Sequence, residues 1–186
     1  MTLDIPDKNR PIVLIGLMGA GKTKIGRLLA RRLGLPFVDA DDEIVKAAGA
    51  SIPQIFERLG ESAFREGERR VIARLLTLPP HVLATGGGAF IDPSTRALIR
   101  SRGVSIWLRA ELDILHRRTS GRSGRPLLAT GDPRAILAAL IVERYPIYAE
   151  ADIVVDTSDE APDSTTERVL AALARYHGAA DTRVRA

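Results

Sequence analysis

The first residues whose types and spacing suggest chemistry are the eight from Gly16 to Thr23, which match the pattern GxxxxGK(S/T). Glycines allow backbone N–H groups to curl around phosphate oxygens, and a helix starting at such a turn adds partial positive charge. In this pattern the lysine reaches the β- and γ-phosphates and the last hydroxyl binds Mg²⁺. We therefore predict a site for a nucleoside triphosphate with Mg²⁺, contacted by Gly19, Ala20, Gly21, Lys22, Thr23 and Lys24.

Two carboxylates follow a short apolar run, at Asp39 and Asp41. Residues two apart in an extended strand point the same way, and open parallel sheets bind ligands at the carboxyl ends of their strands. One carboxylate could hold the Mg²⁺ shell while the other binds a substrate hydroxyl and accepts its proton. Acids also favour helix starts, so Asp41 and Asp42 could instead cap the next helix. Beside a phosphate-binding loop we favour function for Asp39 and Asp41, and leave capping or solvent contact to Asp42.

The elements that must position these groups can be predicted from hydrophobic periodicity. Apolar runs predict strands at 12–15, 37–38, 82–84, 104–108 and 153–155. Apolar residues at helical spacing predict a first helix from Ile25 to Leu33. Further helices are predicted at 41–48, 53–76 with a break near Gly60, 94–102, 111–118, 133–149 and 164–177. Strands without polar alternation, separated by helices, are typical of a parallel sheet covered on both faces. We therefore predict one α/β domain over 1–186, built on a five-stranded parallel sheet flanked by helices.

Two segments fall outside this alternation. The segment 119–132 contains three glycines together with Arg122 and Arg125, which predicts a mobile loop of positive charge. The end of the chain, 178–186, is predicted to be loose.

Composition excludes several classes of function. The 186 residues are 45% hydrophobic and include no cysteine, so thiol chemistry and disulfides are excluded. The first ten residues are charged and lack the apolar core of a secretory signal, and no apolar run is long enough to cross a membrane. The net charge is +4, but aromatic residues make up only 4%, too few for a base-stacking surface. We expect a cytoplasmic monomer that binds neither nucleic acid nor membranes.

Four further motifs carry a resemblance to a known family. They are Gly60-Glu61-Ser62-Ala63-Phe64-Arg65-Glu66-Gly67-Glu68, Thr85-Gly86-Gly87-Gly88, Arg125-Pro126-Leu127-Leu128 and Arg144-Tyr145-Pro146-Ile147-Tyr148. With the phosphate-binding loop and the acidic pair, they resemble the shikimate kinases, in order from about residue 12 to 157. The resemblance implies the strand order 2-3-1-4-5, similar to nucleoside monophosphate kinases. It also implies phosphorylation of the 3-hydroxyl of shikimate by ATP and Mg²⁺, in the route to chorismate and aromatic amino acids.

The resemblance assigns roles to particular side chains. Arg65 and Arg144 would grip the shikimate carboxylate through forked, charge-assisted bonds, with Glu68 orienting Arg65. Isolated arginines at these positions would more often form surface ion pairs, with Glu68 and with Glu143. Asp41 would position the hydroxyl and act as the base, and Thr23 and Asp39 would hold Mg²⁺. The backbone N–H groups of Gly86, Gly87 and Gly88 would face the substrate or the γ-phosphate.

The nucleotide side and the lid complete these expectations. Arg118 would stack on adenine, and Arg125 would close over the phosphates to stabilise transferring charge together with Lys22. The alternative for 119–132 is a solvated basic loop, and Phe56 and Phe64 could wall the substrate or simply pack in the core. The stretch 156–160 lacks the adenine-contacting arginine of some family members. A kinase for another polyol acid such as gluconate, and a non-enzymatic nucleotide switch, remain as alternatives.

Overall fold

In the computed structural model of this chain, residues 10–120 and 131–184 are described, with side chains as far as residue 176. These residues form the strands β1 (Ile12–Ile15), β2 (Phe37–Asp39), β3 (Val82–Ala84), β4 (Val104–Ala110) and β5 (Ile153–Thr157). All pairings are parallel, and the strand order is β2-β3-β1-β4-β5. The predicted α/β fold and strand order are confirmed. All four residues of the central strand β1 are buried, as expected for a strand covered on both faces.

Helices connect the strands. They are α1 (Lys22–Leu33), α2 (Ala40–Ala48), α3 (Ile52–Leu75), α4 (Pro93–Arg102), α5 (Leu112–Thr119), α6 (Pro133–Tyr148) and α7 (Pro162–Val184), with a 3₁₀ turn at Ala89–Ile91. From α2 onward, the predicted ends agree with these bounds to within two residues, except at the end of α7. There the backbone helix continues to Val184, through most of the segment 178–186 that we predicted to be loose. Ala179 and Ala180 favour this continuation, because alanine has the highest helix propensity.

Helix α3 begins and bends for reasons visible in its sequence. The Ser51 hydroxyl accepts a hydrogen bond from the N–H of Gln54, and the Gln54 side chain accepts one from the N–H of Ser51 at 2.9 Å. This capping box fixes the start of the helix. Gly60 then interrupts it with φ 79° and ψ 173°, a conformation that only glycine adopts readily, so the predicted break is present. The second half of α3 carries Arg65 and Glu68.

The start of α2 differs from the sequence-based interpretation. Asp39, not Asp41 or Asp42, is the cap residue, and its Oδ1 accepts a hydrogen bond from the N–H of Asp41 at 3.1 Å. The helix begins directly at the end of β2, so the last strand residue serves as the cap. Asp42 lies in the first helical turn with its side chain in solvent, so it takes the solvent role and not the capping role.

The core lies between the sheet and the helices. Leu14, Leu83 and Ile106 on the three central strands are all fully buried, and α1 packs against both α7 and the sheet. This packing brings the carboxyl ends of β1, β2 and β3 together with the start of α1. In the described part of the chain, no helix has the length and apolar character needed to span a bilayer.

Candidate active site

The phosphate-binding loop connects β1 to α1 in a conformation that requires its glycines. Gly16, Gly19 and Gly21 have φ of 137°, 85° and 96°, and a Cβ on Gly16 would lie 2.7 Å from the backbone oxygen of Leu108. The ammonium of Lys22 donates to the carbonyl oxygens of Gly16 at 2.7 Å and Leu17 at 3.0 Å. The carbonyl groups of the loop therefore hold the Lys22 side chain against the loop. No side chain caps the first N–H groups of α1.

The predicted metal ligands meet at the carboxyl ends of β1 and β2. The Thr23 hydroxyl donates a hydrogen bond to Asp39 Oδ2 at 2.9 Å, and this pair is accessible to solvent. No described cluster of three or more histidine or acidic side chains could hold a metal ion by itself. A hydroxyl beside one carboxylate nevertheless fits Mg²⁺, which keeps several waters and takes much of its coordination from phosphate oxygens.

A second pair of acids, the half-buried Asp41 and the buried Glu68, lies beside the triple-glycine turn. Burial, followed by the charge of Asp39, raises the pKa of Asp41 to about 6, and Lys22 opposes this shift. Burial also raises the pKa of Glu68, against the lowering effect of Arg65. Both carboxylates press against Gly86, where a Cβ would lie 2.8 Å from Glu68 Oε1 and 3.1 Å from Asp41 Oδ1. The structure therefore places Asp41 and Glu68 on the same glycine, a proximity that the sequence did not predict.

Arg65 is held in place by neighbouring side chains on its own helix. Its guanidinium donates to Glu68 Oε2 at 2.8 Å and to Glu61 at 3.3 Å, and it lies over the Phe64 ring at 5.2 Å from the centroid. The predicted i,i+3 contact with Glu68 is present, but Glu68 is 3% exposed, so this is no ordinary surface pair. Phe64 itself is buried and pairs with the Phe56 ring at 4.7 Å, so both rings pack together.

Arg144 reaches the same place from α6. Only 8% of Arg144 is exposed, and the Glu143 carboxylate is 3.6 Å from its Nε, too far for a hydrogen bond. Its Nε has no hydrogen-bond partner among the described residues. Arg65, Glu68 and Arg144 line one small cavity of about 230 Å³. Two guanidinium groups and a buried acid therefore converge, from helices that are far apart in sequence.

The triple-glycine turn after β3 lies at the centre of this arrangement. None of its residues has positive φ, so glycine is required here for close approach and not for backbone conformation. Gly86 contacts the buried acids, and Gly87 lies against the phosphate-binding loop, with its Cβ position 3.5 Å from the Gly16 oxygen. A Cβ on Gly88 would lie 2.7 Å from Cζ of Arg65. Each glycine thus contacts a different part of the site.

A larger cavity of about 850 Å³ lies on the other side of the phosphate-binding loop. It is lined by the predicted Gly19, Gly21, Lys22, Thr23 and Lys24, and by Arg118. The Arg118 guanidinium donates to Gly19 O at 3.4 Å and to the carbonyl of Ser158. It therefore connects the loop to the segment after β5. Ala20, also predicted as a contact, is buried and does not line the cavity.

The segment after β5 supplies lining residues that sequence reasoning missed. Asp159, Glu160 and Pro162 line the larger cavity. Their position directly after a strand was the available signal, because ligands bind at the carboxyl ends of parallel strands. No arginine occurs in this stretch, but Arg168 on α7 donates a hydrogen bond to the Glu160 carboxylate at 2.6 Å and so orients it.

The predicted lid lies largely outside the described residues. Arg122 and Arg125 belong to 121–130, outside the described residues. The described neighbours are surface groups: Arg117 pairs with Asp159 and Arg134 pairs with Asp113. Asp132 caps α6 by accepting a hydrogen bond from the N–H of Arg134.

The chain is similar to known proteins over most of its length. The family model for shikimate kinase matches residues 18–174. A shikimate kinase from Paramagnetospirillum magneticum is 61% identical over 167 residues, covering 90% of this chain and 86% of the relative. One from Caulobacter vibrioides is 55% identical over 172 residues, covering 92% of this chain and 86% of the relative.

A solved structure extends the comparison to the fold. It is a shikimate kinase from Acinetobacter baumannii in complex with shikimate, with a TM-score of 0.85 and 38% identity. The match covers 88% of this chain and 92% of that one. On these similarities, over most of its length, this chain belongs to the shikimate kinase family.

Proposed function

We propose that this chain transfers the γ-phosphoryl group of ATP to the 3-hydroxyl of shikimate, giving ADP and shikimate 3-phosphate. The observation that carries the proposal is the convergence of Arg65 and Arg144 on one cavity beside the buried acids, next to the phosphate-binding loop. A hydroxy acid needs the arginines to bind its carboxylate and a carboxylate near the phosphate-binding loop to orient its reacting hydroxyl. Membership of the shikimate kinase family supports shikimate as that acid.

Binding of the acceptor begins with its carboxylate. Arg65 and Arg144 offer N–H donors in fixed fork geometry, which suits a planar carboxylate. Because Glu68 already holds Arg65 at 2.8 Å, little side-chain entropy is lost when the substrate arrives. In this proposal the backbone N–H groups of Gly86, Gly87 and Gly88 donate to a substrate oxygen or to the γ-phosphate.

Asp41 is the proposed base. In the transfer, the 3-hydroxyl oxygen bonds to the γ-phosphorus while the bond to the β–γ bridging oxygen breaks, and the hydroxyl proton passes to the Asp41 carboxylate. A pKa of about 6 leaves Asp41 ionised at neutral pH and close to the optimum for a base acting there. The transition state of phosphoryl transfer is loose, so orienting the hydroxyl matters more than strength as a base.

The nucleotide occupies the larger cavity in this proposal. Lys22 and the N–H groups at the start of α1 hold the phosphates, and Arg118 packs on the base. Thr23 directly, and Asp39 through water, would hold Mg²⁺, which when bound neutralises charge on the phosphate oxygens. Arg125, on the proposed lid 119–132, adds positive charge at the phosphates, and 41–76 forms the substrate-binding helical region. We also propose that the protein acts in the cytoplasm as a monomer. Sedimentation would test the monomeric state.

A coupled assay of ADP release tests the proposal. We expect release to require both Mg²⁺ and shikimate, to be unaffected by nucleic acid, and to be negligible with gluconate. Strong hydrolysis of ATP without shikimate, or an equal response to gluconate, would contradict the assignment.

A further inference from the structure

The triple-glycine turn is held in place from behind by Tyr148, the last residue of α6. The Tyr148 ring is fully buried, and its hydroxyl donates a hydrogen bond to the carbonyl oxygen of Gly87. The ring packs against Trp107 of β4, with the two centroids 5.8 Å apart. Core packing therefore fixes the Tyr148 ring, while its hydroxyl contacts the Gly87 backbone in the site.

The same hydroxyl lies next to Arg144. Burial raises the pKa of Tyr148 to about 12, and the neighbouring Arg144 guanidinium opposes that shift. Residues four apart on a helix lie on one face, which explains the proximity. With this pKa the hydroxyl keeps its proton throughout the physiological range, so it always remains a donor to Gly87.

The peptide that Tyr148 holds is the middle of the turn. Gly87 lies against the phosphate-binding loop, with Met18 N 3.7 Å from its Cβ position. Its neighbours Gly86 and Gly88 contact the buried acids and Arg65. Because the contacts at Gly86 and Gly88 are tighter than the 3.5–3.8 Å contacts at Gly87, a small shift of the turn would mainly change how Gly86 meets Asp41 and Glu68 and how Gly88 meets Arg65.

We propose that the Tyr148 hydroxyl is a positioning group, which holds the turn 86–88 and Arg144 in one fixed arrangement so that both ends of the acceptor are bound together. The inference rests on the proposed function, because it describes how that acceptor site is held. Tyr148 does not line the cavity formed by Arg65, Glu68 and Arg144. It acts on the substrate only through the groups that it holds.

Tyr145 provides a matched control on the same helix. Its hydroxyl also donates to a backbone carbonyl, that of Ala110 at the end of β4, and its ring also packs on Trp107, at 4.8 Å. Tyr145→Phe and Tyr148→Phe therefore remove the same kind of hydrogen bond from neighbouring sites. Only the Tyr148 bond involves the glycine turn.

Titration calorimetry on the two variants tests the proposal. Tyr148→Phe leaves the half-buried Gly87 carbonyl without its donor, so we expect the Kd for shikimate to rise about 10-fold or more. The Kd for a non-hydrolysable ATP analogue should stay within about 3-fold, because Tyr148 does not contact the nucleotide cavity. Tyr145→Phe should change neither value. Circular dichroism and Tm establish that both variants are folded.

Two results would overturn the proposal: equal shikimate affinity in the two variants, or an equal loss of both ligands in Tyr148→Phe, which indicates general destabilisation. Failure of the proposed function is a separate result, namely wild-type protein without shikimate-dependent ADP release.

A measurement on the wild-type protein decides the matter even if Tyr148→Phe does not fold. The chain has three tyrosines, so ¹³C labelling at Cζ gives three signals, assigned with the Tyr145→Phe and Tyr176→Phe variants. Saturating shikimate should shift the Tyr148 signal and leave that of Tyr145 in place. An unchanged Tyr148 signal at saturation would contradict the proposal.

Discussion

The nucleotide side and the acceptor side of the site are built in different ways. The nucleotide side comes mainly from consecutive residues, 16–24, and its polar groups Thr23 and Asp39 are accessible to solvent. The acceptor side is assembled from Asp41, the second half of α3, the turn 86–88 and the end of α6, and two of its charged side chains, Glu68 and Arg144, are buried. One side is a single glycine-rich loop, and the other is a set of polar groups that packing brings together from distant segments.

This difference explains where specificity lies. A loop that binds phosphates through backbone N–H groups recognises charge and geometry common to all nucleoside triphosphates. A buried site that has fixed donors and acceptors rejects molecules that leave those groups unpaired. We therefore expect substitutions on the two sides to separate nucleotide binding from acceptor binding.

The largest effects should come from one substitution on each side. Asp41→Asn removes the proton acceptor, so kcat should fall by about 10²–10⁴-fold while the ATP analogue still binds. Lys22→Ala removes a direct phosphate contact, so it should weaken binding of the analogue and slow transfer by about 10²–10³-fold. Calorimetry with the analogue distinguishes the two variants. Loss of nucleotide binding in Asp41→Asn would contradict the separation.

Conservative replacement of the two cavity arginines should act on the acceptor alone. Lysine cannot reproduce a forked bond, so Arg65→Lys and Arg144→Lys should each raise the KM for shikimate by roughly 10- to 100-fold. The KM for ATP should be nearly unchanged. Arg70→Lys is the control, because Arg70 lies on the same helix as Arg65 but is 78% exposed in its side chain. Steady-state kinetics on the three variants would refute the carboxylate role if all behaved alike.

The sequence predicts these two sides to different extents, for a physical reason. The phosphate-binding loop and the helix bounds follow from local spacing, and the break at Gly60 follows from one residue. The approach of Asp41 to Glu68, the bond from Tyr148 to Gly87 and the pairing of Arg168 with Glu160 depend on how distant segments pack. Cap choice at α2 also escaped prediction, because Asp39 is a strand residue and a cap at once.

A smaller effect should follow from adding one methyl group to the turn. Gly88→Ala places a Cβ 2.7 Å from Cζ of Arg65. The flexible guanidinium can move away, so stability should change little while the KM for shikimate rises roughly 10-fold. Gly67→Ala is the control, because its Cβ meets nothing within 4 Å and alanine favours the helix. An unchanged KM in Gly88→Ala would show that Arg65 does not need its present position.

The smallest expected effect is a gain of stability in an inactive variant. Asp41 has a folded-state pKa of about 6, above its usual 3.8, so its charge opposes folding above pH 6 and has no effect below pH 3.8. Asp41→Asn should therefore raise the free energy of unfolding at pH 8 by about 1–3 kcal/mol. The gain should shrink as the pH falls through 6 towards 4. Denaturation at both pH values measures it, and a gain independent of pH would have another cause.

The central claim is that the buried acceptor site directs the phosphoryl group to one hydroxyl of shikimate. ³¹P NMR of the product, formed with Mg²⁺, ATP and shikimate, tests this most directly. We predict one new phosphate monoester whose phosphorus couples to the proton on C3, formed in equal amount to ADP. Inorganic phosphate as the main product, or an ester at another hydroxyl, would contradict the account.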